Sequence, residues 1–155
     1  MDRDGNTPIA INTTSMENHM RDQFEKLAKD FCALVKLPDS AQVIAGHAFD
    51  ANGIDCSLNY DDVLTRDRFF LFADCGPTGP STPPALYHEL LVRNFSNFSG
   101  SGIGFGISPK TGHLFYAEPI ELAGATADQL LDACLFAAQQ AQELHLKFPA
   151  APVKK

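Results

Sequence analysis

The sequence predicts an α+β two-layer sandwich, an antiparallel sheet covered by helices, and three observations carry that expectation. Three segments place apolar residues at helical spacing, about five carry apolar runs of strand length, and short Asn, Gly and Pro turns join most neighbouring strands. Connections that short make antiparallel neighbours, and the order reads α-β-β-β-α-β-β-α. A chain of 155 residues, 45% hydrophobic with 12 Phe, has material for one real core. It shows neither an internal repeat nor a second compositional regime, so residues 14–148 read as a single domain between mobile tails at 1–13 and 149–155.

The first helix is expected to open at Thr14, where Thr14-Ser15-Met16-Glu17 matches a capping box. Met20, Phe24, Leu27, Phe31 and Leu34 follow as one apolar stripe, and Pro38 ends it. A short strand is expected from Val43-Ile44 through Phe49. Asp50-Ala51-Asn52-Gly53 supplies turn chemistry, so Ala48–Asp50 pairs as a hairpin with Ile54–Tyr60, in which Ile54, Cys56, Leu58 and Tyr60 alternate with polar residues. Arg68–Asp74 is apolar on both faces and belongs centrally in the sheet.

The Pro-rich segment 76–84 breaks the periodicity and leads into a second helix, with Thr82 as its cap, Pro83 in its first turn, and Leu86, Tyr87, Leu90, Leu91 and Phe95 at helical spacing. Ile103, Phe105 and Ile107 then alternate with glycines, and Pro109-Lys110-Thr111-Gly112 turns the chain into His113–Ile120 as a second hairpin. The last helix starts at a second capping box, Thr126-Ala127-Asp128-Gln129, and carries Leu130, Leu131, Cys134, Leu135, Ala138, Ala141, Leu144 and Phe148.

Composition removes several classes of function. A formal charge of −7 repels phosphate backbones, so nucleic acid is not an expected partner. No apolar run approaches the roughly 18 to 20 residues that cross a bilayer, and Met1–Asn6 has neither the basic start nor the apolar stretch of a secretory signal. Cys32, Cys56, Cys75 and Cys134 are far apart in apolar elements and read as reduced core thiols. No Cys-x-x-Cys pair exists and His47, His88, His113 and His145 are dispersed, so no zinc is expected.

The glycines of 100–106 alternate strictly and follow a helix, which is not the spacing of a dinucleotide fingerprint. They are expected instead to let another backbone or helix approach closely. Cys75, with His88 or His113 in reach, is the one candidate for an activated thiol, but a packed core thiol is the favoured reading. Asp61-Asp62 reads as a solvated loop among Arg66, Asp67 and Arg68. No cofactor and no catalytic residue is expected. The 12 Phe and 3 Tyr outnumber what one face of one sheet absorbs, so a partner should cover part of that surface.

Several stretches together resemble a known family. They are the leading amphipathic helix Met16–Leu37, the hairpin Phe49–Leu58, the strand Phe69–Gly76, the helix Leu86–Phe95, and the pair Gly102–Ile107 and Gly112–Ile120 before a closing helix. In order and length, over residues 15–148, these elements are similar to the Tir chaperone (CesT) family of type III secretion class I chaperones. The N-terminal extension and the length of the segment 76–84 depart from the pattern.

The resemblance implies a non-enzymatic homodimer in the bacterial cytoplasm that binds the N-terminal segment of a secreted effector and keeps it unfolded. It puts the second helix near the two-fold axis, with Leu86, Tyr87, Leu90, Leu91, Arg93, Asn94, Ile103 and Phe105 as interface candidates. For the effector, physics and position nominate Phe24, Phe31, Ile54, Cys56, Leu58, Phe70, Phe72, Leu114 and Tyr116. A regulatory or adaptor protein of the same fold, as in YbjN-like proteins, is the alternative.

Overall fold

The computed structural model describes residues 13–149. Its elements run α1 (Thr13–Val35), α2 (Ser40–Ile44), β1 (Phe49–Ala51), β2 (Ile54–Asn59), β3 (Arg68–Pro77), α3 (Pro84–Asn97), β4 (Gly104–Ile107), β5 (His113–Glu121) and α4 (Ala127–Lys147). Apart from their inner ends, the expected tails lie outside the described residues, as do the side chains of Thr14 and Glu17 in the first capping box.

The strands form one sheet in the order β1-β2-β3-β5-β4, every neighbouring pair antiparallel. The β1–β2 hairpin closes on Asn52 and Gly53, both at positive φ (51° and 83°), the conformation a two-residue turn needs to match strand twist. The longest strand, β3, lies at the centre between β2 and β5, where a strand apolar on both sides was expected.

Alternation sets the core. Ile54, Cys56 and Leu58 of β2, Phe69, Leu71, Ala73 and Cys75 of β3, and Leu114 and Tyr116 of β5 are buried on one face. The helices cover that face: Phe24 of α1 packs on Phe69 with ring centres 5.3 Å apart, Phe31 on Phe49 at 5.4 Å, and α4 buries Leu130, Cys134, Ala137, Ala138, Ala141 and Leu144. The capping box of α4 forms as expected, with Thr126 Oγ1 accepting from the Gln129 N–H and Gln129 Oε1 from the Thr126 N–H, each at 3.2 Å. All four cysteines are buried and unpaired with one another.

Three local expectations are corrected. Val43 and Ile44 do not begin a strand but lie in α2, where the Asp39 side chain caps the Gln42 N–H; two adjacent apolar residues fit a turn of helix as well as a strand, and β1 starts only at Phe49. Thr82 does not cap α3. Its hydroxyl turns back to accept from the Gly79 N–H, and the helix starts after Pro83 with Pro84 in its first turn. Of the alternating glycines Gly102 alone meets the expected close approach, a Cβ there falling 2.9 Å from Pro119 Cγ, whereas one at Gly104 would meet Asn94 Oδ1 at 3.7 Å and one at Gly106 nothing within 4 Å.

Candidate functional site

Among the described residues two apolar surfaces stand out beyond the core. The first is the sheet face away from the helices. Register places Phe72 opposite Ser57 and Ala117, Phe70 opposite Asn59 and Pro119, and Asp74 opposite Phe115. Phe70, Phe72 and Phe115 form a chain of rings with centres 6.1 and 6.3 Å apart. Beside them a groove of about 340 Å³ is lined by Ser57, Asn59, Phe72, Gly106, Ile107, Ser108, Phe115 and Ala117. Small residues make its floor. On the same face of the sheet His113 Nδ1 meets Asp74 Oδ2 at 2.9 Å, and Asp74 Oδ1 accepts from the Gly76 N–H at 2.8 Å.

The second surface is the outward side of α3. Leu91, Val92, Phe95 and the following Phe98 are 68%, 52%, 84% and 88% exposed, whereas Leu86 and Leu90 on the other side are buried. Four large apolar residues this exposed within eight positions make an apolar patch.

The structure sorts the candidate residues accordingly. Of the nine nominated for effector binding, Phe24, Phe31, Ile54, Cys56, Leu58, Leu114 and Tyr116 belong to the subunit's own core, because their parity or helix face turns them inward; only Phe70 and Phe72 reach the open face. Of the interface candidates, Leu86 and Leu90 are core and Leu91 is exposed. Tyr87 is half-buried. Arg93 is held within the subunit by Glu89 at 2.6 Å and Gln140 at 3.3 Å, Asn94 by the backbone of Phe105, and Ile103 and Phe105 pack against the core.

Not nominated from the sequence were Val92 and Phe95 on α3, Phe98 just past its end, and Phe115, Gly106 and Ala117 on the open face. Their signals were a second helical stripe offset from Leu86 and Leu90, and the parity of β5 once Tyr116 is inward.

Chemistry at the cysteines runs against activation. Burial pushes the thiols of Cys56 and Cys75 up to about 12 and raises that of Cys134 further. Thiols raised in this way stay protonated at neutral pH. Neither His88 nor His113 activates Cys75: His113 is paired with Asp74, and the one imidazole bonded to Cys75 is that of His145, whose Nε2 lies 2.7 Å from the backbone carbonyl. Asp61 and Asp62 serve structure, Asp61 accepting from the Val63 N–H and Asp62 pairing with Arg21 at 2.7 Å. Among the described residues no three His, Cys, Asp or Glu side chains converge as metal ligands, and no helix is long and apolar enough to cross a membrane.

Comparison with known proteins agrees with this architecture. No curated protein matches the chain by sequence. Among solved structures, a chain of the ExsC–ExsE complex is 18% identical with a TM-score of 0.65, the match covering 85% of this chain and 98% of that one. A chain of the HopA1–SchA chaperone–effector complex is 16% identical at 0.61, covering 81% and 94%. One from the Yersinia pestis type III secretion chaperone SycH in complex with a fragment of YscM2 is 15% identical at 0.57, covering 78% and 98%. These likenesses establish the fold. A sequence model of the Tir chaperone protein (CesT) family matches residues 48–145, from β1 into the last turn of α4, and the chain belongs to that family of type III secretion chaperones.

Proposed function

We propose that this type III secretion effector chaperone works as a homodimer in the bacterial cytosol, joined through the exposed side of α3. On this reading each open sheet face holds an unfolded N-terminal segment of an effector. The observation that carries it is the presence of two apolar surfaces, on different elements, that the subunit's own core leaves uncovered. A two-fold contact is self-complementary, and a helix presenting Leu91, Val92, Phe95 and Phe98 can pack on its own copy. An interface of about 800 Å² per subunit is typical.

The open face suits an extended chain. Side chains of a bound segment would lie against Phe70, Phe72 and Phe115, while the glycine and alanine floor lets its backbone approach. Strand pairing at a sheet edge adds affinity that tolerates varied sequence, and the ring-lined groove adds selectivity. The chain's charge of −7 favours basic or neutral clients. HopA1–SchA is a chaperone–effector complex and SycH was crystallised with a fragment of YscM2, which supports a polypeptide ligand for this fold. No covalent step is involved.

The test uses the intact protein pulled down from its own cytosol under native conditions, followed by limited proteolysis of whatever polypeptide it carries. The expected result is one protected N-terminal segment, lost in a Phe72→Asp, Gly106→Leu double variant that still sediments as a dimer. A monomer at roughly tens of micromolar, or retention of the segment by the double variant, would overturn the reading.

A further inference from the structure

The sheet ends in two edges, β1 and β4. Just past β4 the Ser108 N–H donates to the His113 carbonyl. The ladder alternates with a period of two, so the N–H and C=O of Phe105 and Ile107 point away from β5, toward the position of a sixth strand. Nothing in the side chains of β4 guards that edge. Ile103 to Ile107 contains no charged residue and no proline, and Ile107 is half exposed, the kind of edge that pairs with another chain.

The guard comes from α3. Asn94 Oδ1 accepts from the Phe105 N–H at 2.8 Å while Asn94 Nδ2 donates to the Phe105 carbonyl at 3.0 Å. A carboxamide offers the same donor and acceptor as a peptide group, so Asn94 fills both hydrogen-bonding positions that an incoming strand would take at this residue. At the other end β1 has β2 on one side and no strand beyond it.

We propose that Asn94 locks the β4 edge against strand addition, by a client or by a second copy. The lock rests on the proposed function only where the added strand is a client's.

It is tested on the full chain without a client. In hydrogen exchange the Phe105 amide should be protected in the parent and in Asn94→Asp, which keeps the acceptor. In Asn94→Leu it should exchange about ten-fold faster or more, with the Ser108 amide unchanged. Asn94→Leu should also sediment as larger species than the parent, and adding Ile107→Pro, which removes a second outward N–H, should restore the parent's size. A role in packing alone predicts no association that a second substitution reverses.

If Asn94→Leu is insoluble, a soluble double variant supports the lock and an insoluble one overturns it. A parent Phe105 amide that exchanges freely, or Asn94→Leu at the parent's size, also overturns it. A protein that carries no client would refute the proposed function and leave these outcomes as they are.

Discussion

The two faces of β3 are built from the same material and meet different fates. Phe69 and Leu71 are fully buried beneath α1 and α4, while Phe70 and Phe72, one residue along, are only half covered and lie on the opposite face of the sheet. An antiparallel sheet with one layer of helices usually turns polar residues to water on the other side. Here the second face is aromatic. Burying a Phe side chain contributes about 1.5 to 3 kcal/mol, so rings left on the open face withhold stabilisation from folding, which on the proposed function a partner would recover.

Substitution along β3 tests this difference most strongly. Phe69→Ala should cost about 3 to 5 kcal/mol in urea unfolding, since it empties a fully buried ring site between α1 and the sheet. Phe72→Ser should cost no more than about 1 kcal/mol and yet lose the bound segment. Equal losses at the two positions would make the open face a second core and end the distinction.

The same contrast recurs within one turn of α3. Leu90 is 4% exposed and Leu91 68%. Leu90→Asp puts an unpaired charge in the core, with an expected loss of about 3 to 5 kcal/mol and aggregation of the unfolded chain. Leu91→Asp should leave the melting temperature of the subunit almost unchanged and shift sedimentation from dimer to monomer. A dimer that survives Leu91→Asp with Phe95→Asp added would move the interface off this side of the helix.

Much of the fold was legible because local signals agreed with one another. The Asn52-Gly53 turn, the Thr126 to Gln129 capping box and the double-sided hydrophobicity of β3 each have one physical meaning, and each formed where it was read. Val43-Ile44 had two meanings, and the cap at Asp39 chose the helix. The candidate site was less legible for a different reason. Alternation says that Phe69 and Phe70 lie on opposite faces but not which face the helices cover, and that depends on α1 and α4 packing from far away in the chain. The nominated residues were chosen for being apolar, the property that also buries them, so Ile54, Cys56, Leu58, Leu114 and Tyr116 went to the core.

The smallest expected effect concerns a charge on the covered face. Register puts Glu118 of β5 opposite Leu71, so its side chain lies on the helix side, half-buried, accepting from the Tyr116 hydroxyl at 2.9 Å. Burial raises its pKa above the ordinary carboxylate value of 4.5, and the Tyr116 hydrogen bond offsets this only in part. The folded state therefore holds the Glu118 proton more tightly than the unfolded chain does. Its contribution to stability is fully present below the ordinary value and is lost as pH rises through the raised one. Glu89 tilts the other way: Lys147 and Arg93 lower its pKa, so its contribution is present above the ordinary value and lost as pH falls through the lowered one. Glu118→Gln should raise stability at pH 7 by less than about 1 kcal/mol, discounted for a group still partly in water, and flatten the decline above the ordinary carboxylate value in thermal melts across pH. On the open face Asp74→Asn removes the partner of a solvated His113 and should cost up to about 1 kcal/mol at most. If Glu118→Gln instead lowers stability at pH 7, the Tyr116 bond to the ionised carboxylate outweighs its burial, and the covered face tolerates charge as well as the open one does.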